Sequence, residues 1–311
     1  MRVYVTRLIM DVVLVEGLSK RYGEAWGVRS ASFSVGRGEL VTLLGRNGAG
    51  KSTTVKILCT LLKPSGGVVQ VLGYDVLRDH QAVRRGISYL PQDYLGFMLD
   101  ELTPLEAVSW NLVARGDYST SEARRVAVEW LSELGLGGVL ETKCARLSGG
   151  QRRRVAVGMT LSARRELVFL DEPTSGVDVE AKHEVWRIMR RVVSQGVSIV
   201  LTTHDMNEAQ IVSDRVVLFH EGKTIAEATP AELVGKLPYK YRVVVNKPHG
   251  WAPNNRVFEH YLDLGDRLIG YTDTSADAWS AASTLHPQVK VESVSEVGLE
   301  DAYLYLTSRG V

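Results

Sequence analysis

The chain has 311 residues, 45% of them hydrophobic and 23% charged, an ordinary balance for a globular protein that suits one large and one small domain. A net charge of +1 argues against general attraction to nucleic acid or an anionic membrane, so no nucleic-acid partner is expected. Cys59 and Cys144 lie far apart without metal-ligand spacing and read as reduced thiols, and no apolar run approaches the roughly 18 residues that span a bilayer.

Residues 1–10 have too short an apolar stretch and no cleavage-site pattern for a signal peptide, and read as an extension ahead of the fold. Val12–Val15 and Val28–Val35 have strand-like spacing around a polar turn at Ser19–Gly23. Tyr22 in that turn is either a half-buried turn aromatic or a ring placed to stack on a nucleobase. The apolar run Glu39–Leu44 is short enough for a buried strand, and Thr54–Leu62 has helical periodicity. Between them, Gly45-Arg-Asn-Gly-Ala-Gly-Lys-Ser52 fits G-x-x-x-x-G-K-[ST] in strand–turn–helix context, which identifies a phosphate-binding loop. Gly45, Gly48 and Gly50 let backbone N–H groups converge on phosphate oxygens, and the helix adds its positive end. Lys51 is the point charge for the β- and γ-phosphates, and Ser52 offers its hydroxyl to Mg²⁺.

Lys63–Gly67 is a turn, with strands expected at Val68–Leu72 and Gly86–Leu90 around a charged helical piece from Asp79 to Arg85. Gln92 follows the second strand, where open α/β sheets place ligand-contacting groups; it is a plain loop residue or one that reaches Mg²⁺ or an attacking water. Two amphipathic helices, Pro104–Arg115 and Ser119–Leu134, form a helical insert that ends at Gly135–Gly138. Ser119-Thr-Ser-Glu122 fits a capping box. Leu147-Ser-Gly-Gly-Gln151 then opens a helix running to Leu161. With Ser148 as N-cap, the N–H groups of Gly149 and Gly150 offer a second anion-binding end; read alone, this is a capped helix followed by three solvated arginines, Arg152–Arg154.

Glu166–Leu170 is a buried strand ending in Asp171 and Glu172, either a surface acidic pair or a magnesium-directed carboxylate beside a general base. Ser175–Asp178 caps the helix Val179–Ser194, Val197–Thr202 is a further core strand, and His204 lies just beyond it. Although a lone histidine is usually structural, this one is better placed to sense a γ-phosphate. Strands near Val216–Phe219 and Lys223–Ala226 and a short helix with Pro230 at its first position close this region. From Tyr239 the composition shifts: strands at Tyr241–Asn246, Phe258–Leu264 and Val289–Val294 and helices at Ser275–Leu285 and Leu299–Thr307 describe a small α+β appendage without a catalytic constellation.

Taken in this order, the motifs resemble the nucleotide-binding subunit of an ATP-binding cassette (ABC) transporter over roughly residues 11–235. Gly45–Thr53 resembles Walker A, Leu147–Gln151 matches the LSGGQ signature, and Leu167–Glu172 resembles Walker B with its catalytic glutamate. Tyr22, Gln92, Asp178 and His204 fall where that family has its base-stacking aromatic, Q-loop glutamine, D-loop aspartate and switch histidine. Val177 is a conservative departure, Leu being commoner there. The resemblance implies an α/β fold: a P-loop NTPase cassette over 11–237, with a mixed core sheet, an antiparallel β subdomain and a helical subdomain at about 100–160, then a small α+β domain over 238–311. It implies ATP and Mg²⁺ as cofactors. ATP contacts are expected from Tyr22, Gly45, Asn47, Gly48, Gly50, Lys51, Ser52 and Thr53, metal contacts from Ser52, Gln92 and Asp171, and catalysis from Glu172, His204 and Gln92. In such proteins two subunits meet head to tail, so Ser148, Gly149, Gly150 and Gln151 are expected to act in trans and Asp178 at the dimer interface. The implied partners are a second ABC subunit, identical or paralogous, and a separate transmembrane permease that holds this cytoplasmic chain at the inner face of the membrane. The tail, Gly298-Leu-Glu-Asp-Ala-Tyr-Leu-Tyr-Leu-Thr307, resembles the closing segment of the daunorubicin-resistance branch of drug and lipid exporters. Soluble ABC-type ATPases of ribosomes or DNA are the other reading; they usually carry two cassettes or a long coiled coil, which this chain lacks. A regulatory module that binds nucleotide without hydrolysing it is a third, weakened by Glu172 and His204.

Overall fold

Strands with near-continuous apolar runs bury both faces, and three such strands organise the first part of the computed structural model. The structure describes residues 11–93, 100–116, 118–248, 250–251, 257–258, 260–286 and 289–308; the extension read at 1–10 lies outside them. In β3 (Leu40–Leu44), β7 (Leu167–Asp171) and β8 (Ser198–Thr203) no residue is exposed. Their two-residue period sends alternate side chains to two separate cores. Leu40, Val168, Leu170, Ile199 and Leu201 join one cluster, while Val41, Leu43, Leu167, Phe169 and Val200 join the other.

The first core is covered by helices α3 (Pro104–Ala114), α4 (Thr120–Glu133), α5 (Gly149–Leu161) and α6 (Val179–Ser194). On the opposite face lie α1 (Lys51–Leu58), α2 (His80–Gly86) and the strands β1 (Asp11–Tyr22), β2 (Ala25–Gly36) and β4 (Gly66–Val71). With β5 (Tyr74–Asp75), β6 (Ile87–Leu90), β9 (Arg215–His220) and β10 (Lys223–Ala228), one ten-stranded sheet runs β5-β4-β1-β2-β10-β9-β3-β8-β7-β6. The stretch β9-β3-β8-β7-β6 is parallel and β5-β4-β1-β2 antiparallel. A single parallel bridge, Lys223 to Ser30, joins β10 to β2. The expected core sheet and antiparallel subdomain are thus two ends of one sheet. A seven-residue helix, α7 (Met206–Val212), follows β8.

Two local readings change. The β1–β2 hairpin turns on Gly23 and Glu24, so Tyr22 ends a strand instead of sitting in a turn. Helix α1 stops at Leu58, short of Leu62, because Thr60 takes a left-handed φ of 59°. The Leu61 N–H then reaches Lys56 O (2.8 Å) and the Thr60 N–H reaches Ile57 O (2.9 Å), a Schellman cap with threonine where glycine is usual.

The chain divides into two compact units at Thr229/Pro230, ahead of the 237/238 boundary expected from the resemblance. The difference is α8 (Pro230–Gly235), which packs with α10 (Leu299–Ser308) in the second unit. That unit is an antiparallel sheet, β12-β13-β11-β14, built from β11 (Tyr241–Asn246), β12 (His260–Asp263), β13 (Arg267–Thr272) and β14 (Lys290–Glu296). One face buries Val243, Val245 and Leu268 under Ala278, Ala281, Ala282 and Leu285 of α9 (Ser275–Leu285). Small alanines let this helix approach the sheet closely. On the other face Val244, Ile269 and Tyr271 pack with Tyr239.

Candidate nucleotide site

Of the residues singled out in sequence, Lys51, Ser52, Asp171, Glu172 and His204 come together where β3, β7 and β8 end, the crevice in which open α/β sheets bind ligands. The loop after β3 is tied down at both ends: Gly45 N–H donates to Thr203 O (3.4 Å), and Ala49 O accepts from Gly222 N–H (3.1 Å). Gly50 caps α1 at φ 105°, and a Cβ there would stand 2.7 Å from Gly27 O, so only glycine fits. A Cβ on Gly45 would meet Phe219 O at 2.4 Å, which leaves the same choice. Asn47 and Gly48 lie exposed on the loop's outer turn.

Lys51 is buried, and its ammonium donates to Gly45 O (2.6 Å) and Arg46 O (3.2 Å), with Glu172 Oε1 4.0 Å away. Burial lowers its pKa, while Glu172 and Asp171 pull the other way. Ser52 Oγ donates to Asp171 Oδ1 at 3.0 Å, and Thr202 Oγ1 donates to the same oxygen. Asp171 is fully buried, yet its Oδ2 has no hydrogen-bond partner. A buried carboxylate oxygen left unsatisfied is costly unless something charged or polar comes to it. The donors brought together here, the Asp171 carboxylate and the Ser52 hydroxyl, are hard oxygens, which suit a hydrated magnesium ion. Among the described residues no cluster of three or more His, Cys, Asp or Glu is able to hold a metal by itself.

Glu172 is buried in the left-handed region at φ 52°, strain of order 1–3 kcal/mol for a non-glycine residue. Its N–H is held by Thr202 O (3.1 Å) and Thr202 Oγ1 (3.2 Å). Its carboxylate meets His204 Nδ1 at 2.9 and 3.0 Å, a direct contact between two residues that the sequence reading had given separate roles. His204 is in turn followed by Asp205, which caps α7, accepting from Asn207 N–H (3.0 Å) and Glu208 N–H (3.2 Å), and which pairs with Lys182 of α6 (2.8 Å). The Tyr22 ring lies over Gly27, where a Cβ would stand 2.6 Å from ring carbon and 3.3 Å from the Thr53 methyl. This exposed aromatic therefore borders the phosphate loop.

The signature is built as a helix N-terminus. Ser148 caps α5: Gln151 N–H donates to Ser148 Oγ (3.2 Å), and Ser148 N–H donates back to Gln151 Oε1 (3.0 Å), a reciprocal capping box. Ser148 and Gly149 are exposed, and Gly150 packs against Gly176 and Val177. No hydrogen bond joins this turn to the phosphate loop among the described residues. Asp178 likewise caps α6 through Ala181 N–H (2.9 Å) and remains exposed.

The run Arg152–Arg154 is not uniformly solvated, contrary to the sequence reading. Arg152 reaches Asp100, but Arg153 and Arg154 turn inward. Arg154 donates to Leu134 O (2.7 Å) and pairs with Glu184 (3.3 Å). Arg153 and Thr202 are the site residues missed in sequence. Helical periodicity carried a signal for Arg153, which stands three and four residues before buried Ala156 and Val157. Nothing local marked Thr202.

The ABC transporter family model matches residues 28–175. The daunorubicin/doxorubicin resistance ATP-binding protein DrrA of Streptomyces peucetius is 34% identical over 308 residues, covering 94% of this chain and 91% of that protein. The Nod factor export ATP-binding protein I of Rhizobium etli is 35% identical over 74% of this chain and 72% of its own length. A solved ATP-binding subunit of an ABC transporter matches with a TM-score of 0.65 at 30% identity, covering 72% of this chain and 92% of that one. A dimeric ATP-binding cassette in a post-hydrolysis state, bound to ADP and phosphate, matches with a TM-score of 0.63 at 27% identity, over 70% of this chain and 98% of that one. The chain belongs to the ATP-binding proteins of ABC transporters, the ATPase subunits of that class.

Proposed function

We propose that this chain binds Mg²⁺·ATP at the Lys51 loop and, with a second ABC subunit, powers a separate transmembrane permease that exports a drug, lipid or similar amphiphile. The observation that carries this reading is the convergence of Lys51, Ser52, Asp171, Glu172 and His204 on one crevice, with Asp171 Oδ2 unpartnered. Lys51 holds the β- and γ-phosphates, the loop backbone and α1 surround them, and Tyr22 stacks on the base. Ser52, Asp171 and Gln92 hold magnesium, which when bound neutralises charge on the phosphates. Glu172 accepts a proton from the water whose oxygen attacks the γ-phosphorus, while the bond to the β–γ bridging oxygen breaks and ADP leaves. His204 orients that carboxylate and sits beside the γ-phosphate.

Among the described residues no hydrogen bond joins the Ser148 cap to this chain's own phosphate loop, which supports its use in trans. Ser148, Gly149, Gly150 and Gln151 of one subunit close over the γ-phosphate held by the other, with Asp178 at the junction. ATP thus completes the interface and hydrolysis reopens it. The helical insert and the Gln92 loop face the permease; Trp110 of α3, 59% exposed, is a large apolar group on that insert. The names of the relatives support export. No helix among the described residues is long and apolar enough to cross a membrane, so the membrane path is assigned to the permease.

Tagging the chain in its own cells, solubilising membranes gently and identifying what co-purifies tests this reading. A polytopic membrane protein in roughly equal amount is expected; ribosomes, DNA or a wholly unpartnered chain would overturn it. Ser148→Arg is expected to abolish ATP-driven dimerisation while the monomer's ATP affinity is unchanged. Chromatography with light scattering, paired with nucleotide titration, reads both, and persisting dimers would contradict the sandwich.

A further inference from the structure

Arg153 lies in the second turn of α5, whose N-terminus carries the signature, yet it is only 9% exposed. Its Nη1 donates to Pro91 O (2.9 Å) and Gln92 O (3.1 Å), its Nε to Pro173 O (3.3 Å), and its Nη2 to the carbonyls of Asp171 and Glu172 (2.8 Å to the latter). A guanidinium has five N–H donors, and here each meets a backbone carbonyl. The acceptors come from two segments, the chain leaving β6 and the chain leaving β7. These neighbouring parallel strands end side by side, where their last carbonyls have no further strand to bond. A planar fork is what such a set needs; an ammonium on a flexible stem has three donors and no fixed plane.

The arrangement bears on Glu172 in particular. Its left-handed backbone is held from the N–H side by Thr202 and from the carbonyl side by Arg153 and the Ser175 N–H (3.2 Å). We infer that Arg153 is a positioning residue for hydrolysis: it fixes the Glu172 turn and ties it, with the start of the Gln92 loop, to the helix that carries Ser148, Gly149 and Gly150. This inference rests on the proposed role of Glu172 as the base. One guanidinium then links three parts of the ATPase cycle: the signature that meets the other subunit's nucleotide, the base for this subunit's nucleotide, and the loop that faces the permease. A displacement of α5 on dimer closure is carried to Glu172 and Gln92 through a single side chain.

The test uses the full chain with ATP and Mg²⁺, measuring steady-state phosphate release and nucleotide affinity. Arg153→Gln is expected to lower kcat by about 10- to 100-fold, the scale of a small misplacement of a reacting group, with ATP affinity within about 3-fold of wild type. Arg153→Lys is expected to recover part of the loss. In a Glu172→Gln background, Arg153→Gln is expected to change the residual rate by less than about 2-fold, because the group it positions is already disabled. A merely structural arginine would lower affinity and rate together, or act equally in both backgrounds, and either result would overturn the inference. If Arg153→Gln fails to fold, Arg153→Lys carries the test: a lower kcat at unchanged affinity, absent in the Glu172→Gln background, supports the inference, and a wild-type kcat overturns it. Active wild type with indifferent Arg153 variants overturns this inference alone. Wild type that binds ATP but releases no phosphate overturns the role of Glu172 and this inference with it.

Discussion

Two buried aspartates, one in each unit, are built in opposite ways. Asp301, in the first turn of α10, spends both oxygens: Oδ1 accepts from Tyr271 Oη (3.0 Å) and Arg242 (3.3 Å), and Oδ2 accepts from Gly298 N–H (2.8 Å) while also pairing with Arg242. Asp171 spends one oxygen on Ser52 and Thr202 and leaves the other without a partner. Burial is alike, so burial does not separate a structural carboxylate from a functional one. The two differ in the second oxygen, satisfied in Asp301 and open in Asp171. In the second unit Asp301 is satisfied by its neighbours, and burial with the adjacent Asp301 pushes the Tyr271 phenol well above its usual range. In the first unit Asp171 Oδ2 lies beside the phosphate loop, where a ligand is able to satisfy it.

That contrast yields predictions of decreasing size. Asp301→Ala leaves Tyr271, Gly298 N–H and part of Arg242 without their acceptor, so it should cost about 3–5 kcal/mol of the second unit's stability, read by chemical denaturation, with ATP affinity unchanged. Asp171→Asn should do the reverse. It should weaken ATP binding about 10- to 100-fold in the presence of Mg²⁺, the scale of losing a carboxylate that acts on a metal through water, while stability moves by less than about 1 kcal/mol. Chelating Mg²⁺ should bring wild type and variant to the same affinity in a nucleotide titration. Were Asp171→Asn to unfold the chain instead, the two aspartates would be alike and the contrast would fail. The smallest effect is expected of Tyr271→Phe, about 1 kcal/mol, because Asp301 keeps Arg242 and the Gly298 N–H.

What was legible in the sequence followed the range of the interactions. Gly45–Ser52, Ser148–Gln151 and the Asp171–Glu172 strand end are local devices, in which a loop, a cap or a strand terminus is made by neighbours in the chain. The apolar runs of β3, β7 and β8 were readable because a strand buried on both faces needs no polar alternation. Three features were less legible. The β1–β2 hairpin is longer than its apolar positions suggested, since half-buried Lys20 and exposed Arg21 and Tyr22 form a paired end. Helix α1 ends early because threonine occupies a left-handed position that sequence assigns to glycine. Arg153 looked solvated because a charged side chain is seldom buried, and its partners are carbonyls 18 to 62 residues away, which carry no sequence signature. Local chemistry was readable, and the long-range bonds that hold it were not.

Glu172→Gln in the full chain tests the central claim most directly, because it removes the proton acceptor and keeps the shape. With Mg²⁺ present, ATP affinity should stay within about 3-fold of wild type while phosphate release falls by about 100- to 1,000-fold, the range expected for loss of a general base. Near-normal phosphate release would contradict the account, since the crevice at the ends of β3, β7 and β8 would then hold nucleotide without being the place where it is cleaved.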